Sequence, residues 1–199
     1  MNRRSFNRLS GLTTLLLAAI LLAGCQDEGA LSSSPSSGST STPAPSWEDG
    51  LTEDQVDAAY GAIDFLHAYD AKIESFVEVG KATPEQLQYL QDNHAGWRTV
   101  WDAAIANEAE GRTSAYEPGW DATTTPTEVT VTPESYALVT ITRCIDPSKI
   151  TDYIGGVEQP QPLVGGYEQY VGLQRDTAGN WKVSGISADA EASCDLSAD

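Results

Sequence analysis

The apolar residues of this 199-residue chain change their spacing along its length. Leu9 to Leu22 is a block of apolar and small residues, too short for a typical membrane-spanning helix. From Thr52 to Gly111 apolar residues recur every three or four positions, the period of helices with one buried face. From Glu128 onward they alternate, the period of strands. Helices followed by an antiparallel meander predict an α+β domain.

The first helix opens at Thr52, whose hydroxyl caps the start while Gln55 reaches back and Leu51 staples onto Val56. Val56, Ala59, Ile63, Leu66, Ile73 and Val77 form its stripe, and Gly80 ends it. Thr83-Pro84-Glu85-Gln86 starts a second helical stretch with Pro at the first helical position. Leu87, Leu90, His94, Trp97, Trp101 and Ala104 share its stripe, with a break expected near Asn93 to Gly96 and an end at Gly111. A Gly/Pro/Thr-rich passage from Tyr116 to Pro126 reads as loop. Strands are predicted over Glu128–Thr132, Tyr136–Ile145, Tyr167–Arg175 and Trp181–Ile186, the last two joined by a turn at Asp176 to Asn180. The 20 residues from Pro147 to Gly166 read either as a partly ordered hairpin extension or as a binding loop.

Ahead of the domain, Arg3, Arg4 and Arg8 precede the apolar block, which closes on Leu22-Ala23-Gly24-Cys25. This resembles the lipobox of bacterial lipoprotein signal peptides, which implies cleavage after residue 24, lipidation of Cys25 and residence on the extracytoplasmic face of the cell membrane. Several acyl chains, each methylene contributing about 0.8 kcal/mol, hold a protein on a bilayer where one would not. Asn2-Arg3-Arg4-Ser5-Phe6 also looks like a twin-arginine signal, so that route and general secretion both stand. Residues 25–46, the lipidated Cys and a Ser/Thr/Pro/Gly-rich stretch, read as a tether with too little apolar surface to fold. Residues 47–199 are expected to form a single domain.

Loss of residues 1–24 removes three arginines and no acids, taking the formal net charge from −18 to −21. Nucleic acid and anionic headgroups are disfavoured partners at that charge. With Cys25 assigned to lipid, Cys144 and Cys194 remain as a pair in an oxidising compartment, a disulfide being favoured over two free thiols. A bridge between them closes a loop of about 50 residues, for which chain entropy gives roughly 4 kcal/mol.

Helices preceding antiparallel strands, together with Cys144-Ile145-Asp146-Pro147-Ser148, Gly155-Gly156, Val171-Gly172-Leu173-Gln174-Arg175, Trp181-Lys182-Val183 after Gly179, and Cys194, resemble actinobacterial lipoproteins with a nuclear transport factor 2-like or SnoaL-like domain. The resemblance implies a curved antiparallel sheet wrapped around the first helix, a cone whose cavity serves some members as an enzyme pocket and others as a binding site. Fold alone does not choose between these.

Asp70 falls within the apolar stripe of the first helix, one turn from Leu66 and Ile73, with His67 and Tyr60 on its edge. An aspartate there must be paired, solvated in a pocket or raised in pKa. One reading makes Asp70, His67 and Tyr60 the base, partner and donor of a small isomerase, dehydratase or cyclase. The other pairs Asp70 with Arg143 or Arg98 in a structural role. His94 reads as a hydrogen-bonded core residue, and Asp146 as a turn former. Tyr116, Trp120 and Tyr153 are candidates for a cavity mouth. No metal-binding, hydrolase-elbow or phosphate-loop motif occurs, and no cofactor is implied. The reading favoured by the sequence is a non-catalytic binding or accessory module of the envelope, for an envelope protein, a peptide or a small apolar ligand. A passive surface protein, or a prophage-encoded exclusion lipoprotein, is the further alternative.

Overall fold

The computed structural model describes residues 46–161 and 164–196. The expected signal peptide, Cys25 and all but the last residue of the tether lie outside the described residues. No helix among the described residues is long and apolar enough to cross a membrane.

The architecture is α+β: helices α1 (Glu53–Val79), α2 (Pro84–Asn93) and α3 (Trp97–Glu110) precede the strands. Thr52 and Gln55 form the expected capping box on α1, and Gly80 ends it in the left-handed conformation at φ 65°. A Cβ at Gly80 would also lie 2.4 Å from Thr113 Cγ2, so both backbone and space require glycine there. Thr83 caps α2 by accepting from the Gln86 amide. The expected break falls at residues 94–96, where the Ala95 amide donates to the Val183 carbonyl over 2.8 Å and clips the helical layer to the sheet.

Strands β1 (Arg112–Tyr116), β4 (Ile150–Ile154) and β5 (Val157–Glu158) form one antiparallel sheet in the order β1-β4-β5. Strands β2 (Asp121–Val131), β3 (Ala137–Ile145), β6 (Gly166–Arg175) and β7 (Trp181–Cys194) form the other, in the order β2-β3-β6-β7. Neither sheet is closed. Two expectations change here. The passage from Tyr116 to Pro126 is largely strand, because Asp121 to Thr125 pair with β3 even though their side chains are mostly threonine. The connection from 147 to 166 holds β4 and β5, the hairpin of the first reading.

Pleating puts Val139 and Ile141 of β3, Val171 and Leu173 of β6, and Val183 of β7 in one buried cluster with Ala62, Leu66 and Tyr69 of α1. At roughly 1.5–3 kcal/mol for each large side chain removed from water, this layer holds α1 on the sheet. Cys144 has the opposite parity to Ile141 and forms a disulfide with Cys194, 50 residues away. The bond joins β3 to β7 past the start of the intervening β6, where neighbouring strands lie about 4.8 Å apart. The two Cα atoms are only 5.8 Å apart, so the end of β7 folds in over Gly166.

Candidate functional site

The same parity that builds the core carries β3 and β6 onward past it. Arg143 continues the face of Val139 and Ile141, and Gln169 and Tyr167 continue that of Val171 and Leu173, with Arg143 directly opposite Gln169. On α1, Asp70, Ile73 and Glu74 lie one turn beyond Leu66 and Tyr69. The helix and sheet part at this end and leave a cavity of about 490 Å³. Gly96 ahead of α3, Thr99 and Val100 of α3, Tyr116 of β1 and Trp120 of the following turn supply further wall. Ser184, Gly185 and Ile186 close the side formed by β7, where an extra residue shifts the register against β6 between Gly172 and Leu173.

The polar floor is an ion pair. Arg143, 3 % exposed, donates through Nη1 to Asp70 Oδ2, and through Nε to Gln169 Oε1 over 2.7 Å. The guanidinium also lies 4.8 Å from the centre of the Trp120 ring. Burial pushes the Asp70 carboxyl above its ordinary range, Arg143 opposes that rise, and the carboxylates of Asp121 and Glu74 add to it. Trp120 Nε1 donates to Glu74 Oε1 over 2.7 Å, and the Tyr116 and Trp120 rings lie 5.3 Å apart. Burial pushes the Tyr116 phenol up to about 12, assisted by the charges of Asp152, Glu74 and Asp70. Tyr69 and Tyr167 are raised for the same first reason, so the phenols stay neutral hydrogen-bonding groups.

Of the sequence candidates, Asp70, Tyr116 and Trp120 come together here, and His94, expected in the core, also lines the cavity. His94 is 6 % exposed, and its Nδ1 has no hydrogen-bond partner, where a bonded imidazole was expected. Burial lowers its pKa, which keeps the ring neutral. His67 and Tyr60 do not join the site. Both are exposed, and Tyr60 donates instead to Glu48 beside Trp47. The proposed proton-transfer trio is therefore not assembled. Tyr153 does not line the cavity, because its parity on β4 is opposite to that of Ile150, which does. Arg98 lies over the Trp97 ring and takes no part in the Asp70 pair. Asp146 is a turn former as expected, accepting from the Ser148 amide over 3.0 Å and from its hydroxyl over 2.6 Å.

Sequence reasoning missed Tyr69, Glu74, Tyr167 and Gln169. Each was accessible from spacing: the first two share the Asp70 face of α1, and the others share the inward parity of β6. Among the described residues no group of three His, Cys, Asp or Glu side chains is placed to hold a metal ion. No family model matches the chain, nor does any curated protein or solved structure.

Proposed function

We propose that this chain is an extracytoplasmic lipoprotein, anchored through Cys25, whose nuclear transport factor 2-like domain binds a small and largely apolar molecule without transforming it. The observation that carries the reading is the cavity of about 490 Å³ between α1 and the sheet, within the size range of small-molecule sites. Its walls combine aromatic rings with Ile73, Val100, Ile150 and Ile186. Support for binding over turnover comes from the floor: Asp70 is held by Arg143, and His67 and Tyr60, its expected partners in proton transfer, are exposed and outside the cavity lining. The lipobox and the layout of helices before antiparallel strands support the anchor and the cone.

Val100 gives a direct test. It lines the cavity from α3, a helix with no fully buried residue, so Val100→Trp adds bulk at the wall with little core to disturb. A neutral aromatic probe, naphthylmethanol, should bind the intact chain reconstituted in nanodiscs. The Val100→Trp chain should lose at least about tenfold in affinity, roughly 1.4 kcal/mol, with its melting temperature held. Equal binding by both, or by neither, would overturn the reading.

A further inference from the structure

We infer that the cavity selects an organic cation, an amine on an aromatic or alkyl body. This deepens the binding reading above and rests on it. The cavity lining holds two acids, Asp70 and Glu74, and one base, Arg143. Two more carboxylates stand close enough to act on it, Asp121 on Asp70 and Asp152 on Tyr116. Arg143 is committed to Asp70, Gln169 and the Trp120 ring, so it is poorly placed to recruit an anion. The field left over is negative, on a mature chain of net charge −21.

The second, independent observation is His94. Its ring lines the cavity, is more than nine-tenths buried, and has an Nδ1 without a partner. A buried polar nitrogen left unbonded costs about 1–3 kcal/mol, which a donor on a guest recovers only where a small shift of the neighbouring Gly96 opens this edge of the ring. A neutral imidazole accepts such a bond, and a guest ammonium carries three donors. Glu74 supplies the counter-charge: its Oε1 takes the Trp120 indole N–H, which fixes the carboxylate against the aromatic wall. Tyr116 and Trp120 present ring surface beside it, the environment in which a cation gains from aromatic faces. A carboxylate ligand in the same place would meet Glu74 without a free base to balance it.

Three probes of like shape separate the possibilities: naphthylmethylamine, naphthylmethanol and naphthylacetate, titrated against the intact chain and its Glu74→Gln variant in identical nanodiscs. Partition into the bilayer cancels in the comparison between variants. The amine should bind about tenfold more tightly than the alcohol, and the acetate more weakly than either. Glu74→Gln, whose amide oxygen can still accept the Trp120 N–H, should remove most of the amine's advantage over the alcohol. Alcohol binding without a preference for the amine, or a preference that Glu74→Gln does not touch, overturns the cation assignment and leaves the cavity reading in place. If no probe binds, both fall. Should Glu74→Gln fail to fold, raised ionic strength on the unaltered chain serves instead: amine affinity should fall and alcohol affinity hold.

Discussion

Asp70 and Arg143 stand 73 positions apart, and each makes sense only in the presence of the other. A buried charge without its partner costs several kcal/mol, whereas a buried pair replaced by apolar side chains is often neutral. Arg143→Met, which strands the Asp70 carboxyl, should therefore lower unfolding free energy by about 3–5 kcal/mol. The double substitution Asp70→Leu with Arg143→Met should recover most of that loss. Urea unfolding of the four chains measures it, and a double variant as unstable as the sum of the singles would show that the two do not couple. The pair was readable in part: one acid on an otherwise apolar stripe called for a partner, and Arg143 and Arg98 were the two the sequence offered. Helical spacing fixed the direction of Asp70, while the choice of Arg143 came from the register of its strand, which alternation does not give.

Of the helices, α3 is the one without a buried residue. Gly96 precedes it with no side-chain cap, its first turn lacks an acid, and its last turn lacks a base. Thr99 and Val100 nevertheless wall the main cavity, and Val100, Ala103 and Ala104 wall a second of about 120 Å³. A helix held by so little core should open more readily than α1, which is anchored by Leu66, Tyr69 and the sheet. Amides of α3 should exchange on the order of tenfold faster or more than those in the middle of α1, and a bound cavity probe should slow them. Equal protection of the two helices would refute this. Legibility followed the same division. The capping box, Gly80, the break before Trp97 and the core strands were readable because large apolar residues and caps mark them. The first half of β2 and all of β1 were not, because Asp-Ala-Thr-Thr-Thr and Arg-Thr-Ser-Ala-Tyr carry almost no apolar alternation. The end of β7 escaped for the same reason: Ser187, Ala188, Asp189 and Ser193 pair with β6 through their backbones and carry no large apolar side chain.

For the molecule as a whole, the proposed lipid anchor and the proposed cavity site are independent, and each can fail alone. Cys25→Ala should abolish incorporation of a labelled fatty acid and move the protein out of the washed membrane fraction, because one acyl chain or none gives only marginal membrane affinity. Retained label would show that another residue is modified. The folded part should be unaffected, since its disulfide uses the other two cysteines. Acidity then bears on both proposals: a chain of formal net charge −18, or −21 with residues 1–24 removed as proposed, is repelled by anionic headgroups, so the proposed anchor has to act through lipid rather than charge, and small cations gather around it.

The disulfide passes over Gly166 so closely that a Cβ there would lie 2.9 Å from both sulfurs. A side chain at 166 and a bond between 144 and 194 exclude one another. The three positions thus form a single unit of inheritance. In any lineage of this chain, a residue larger than glycine at 166 should appear only where both cysteines have gone, and loss of the bridge should be what frees that position to vary.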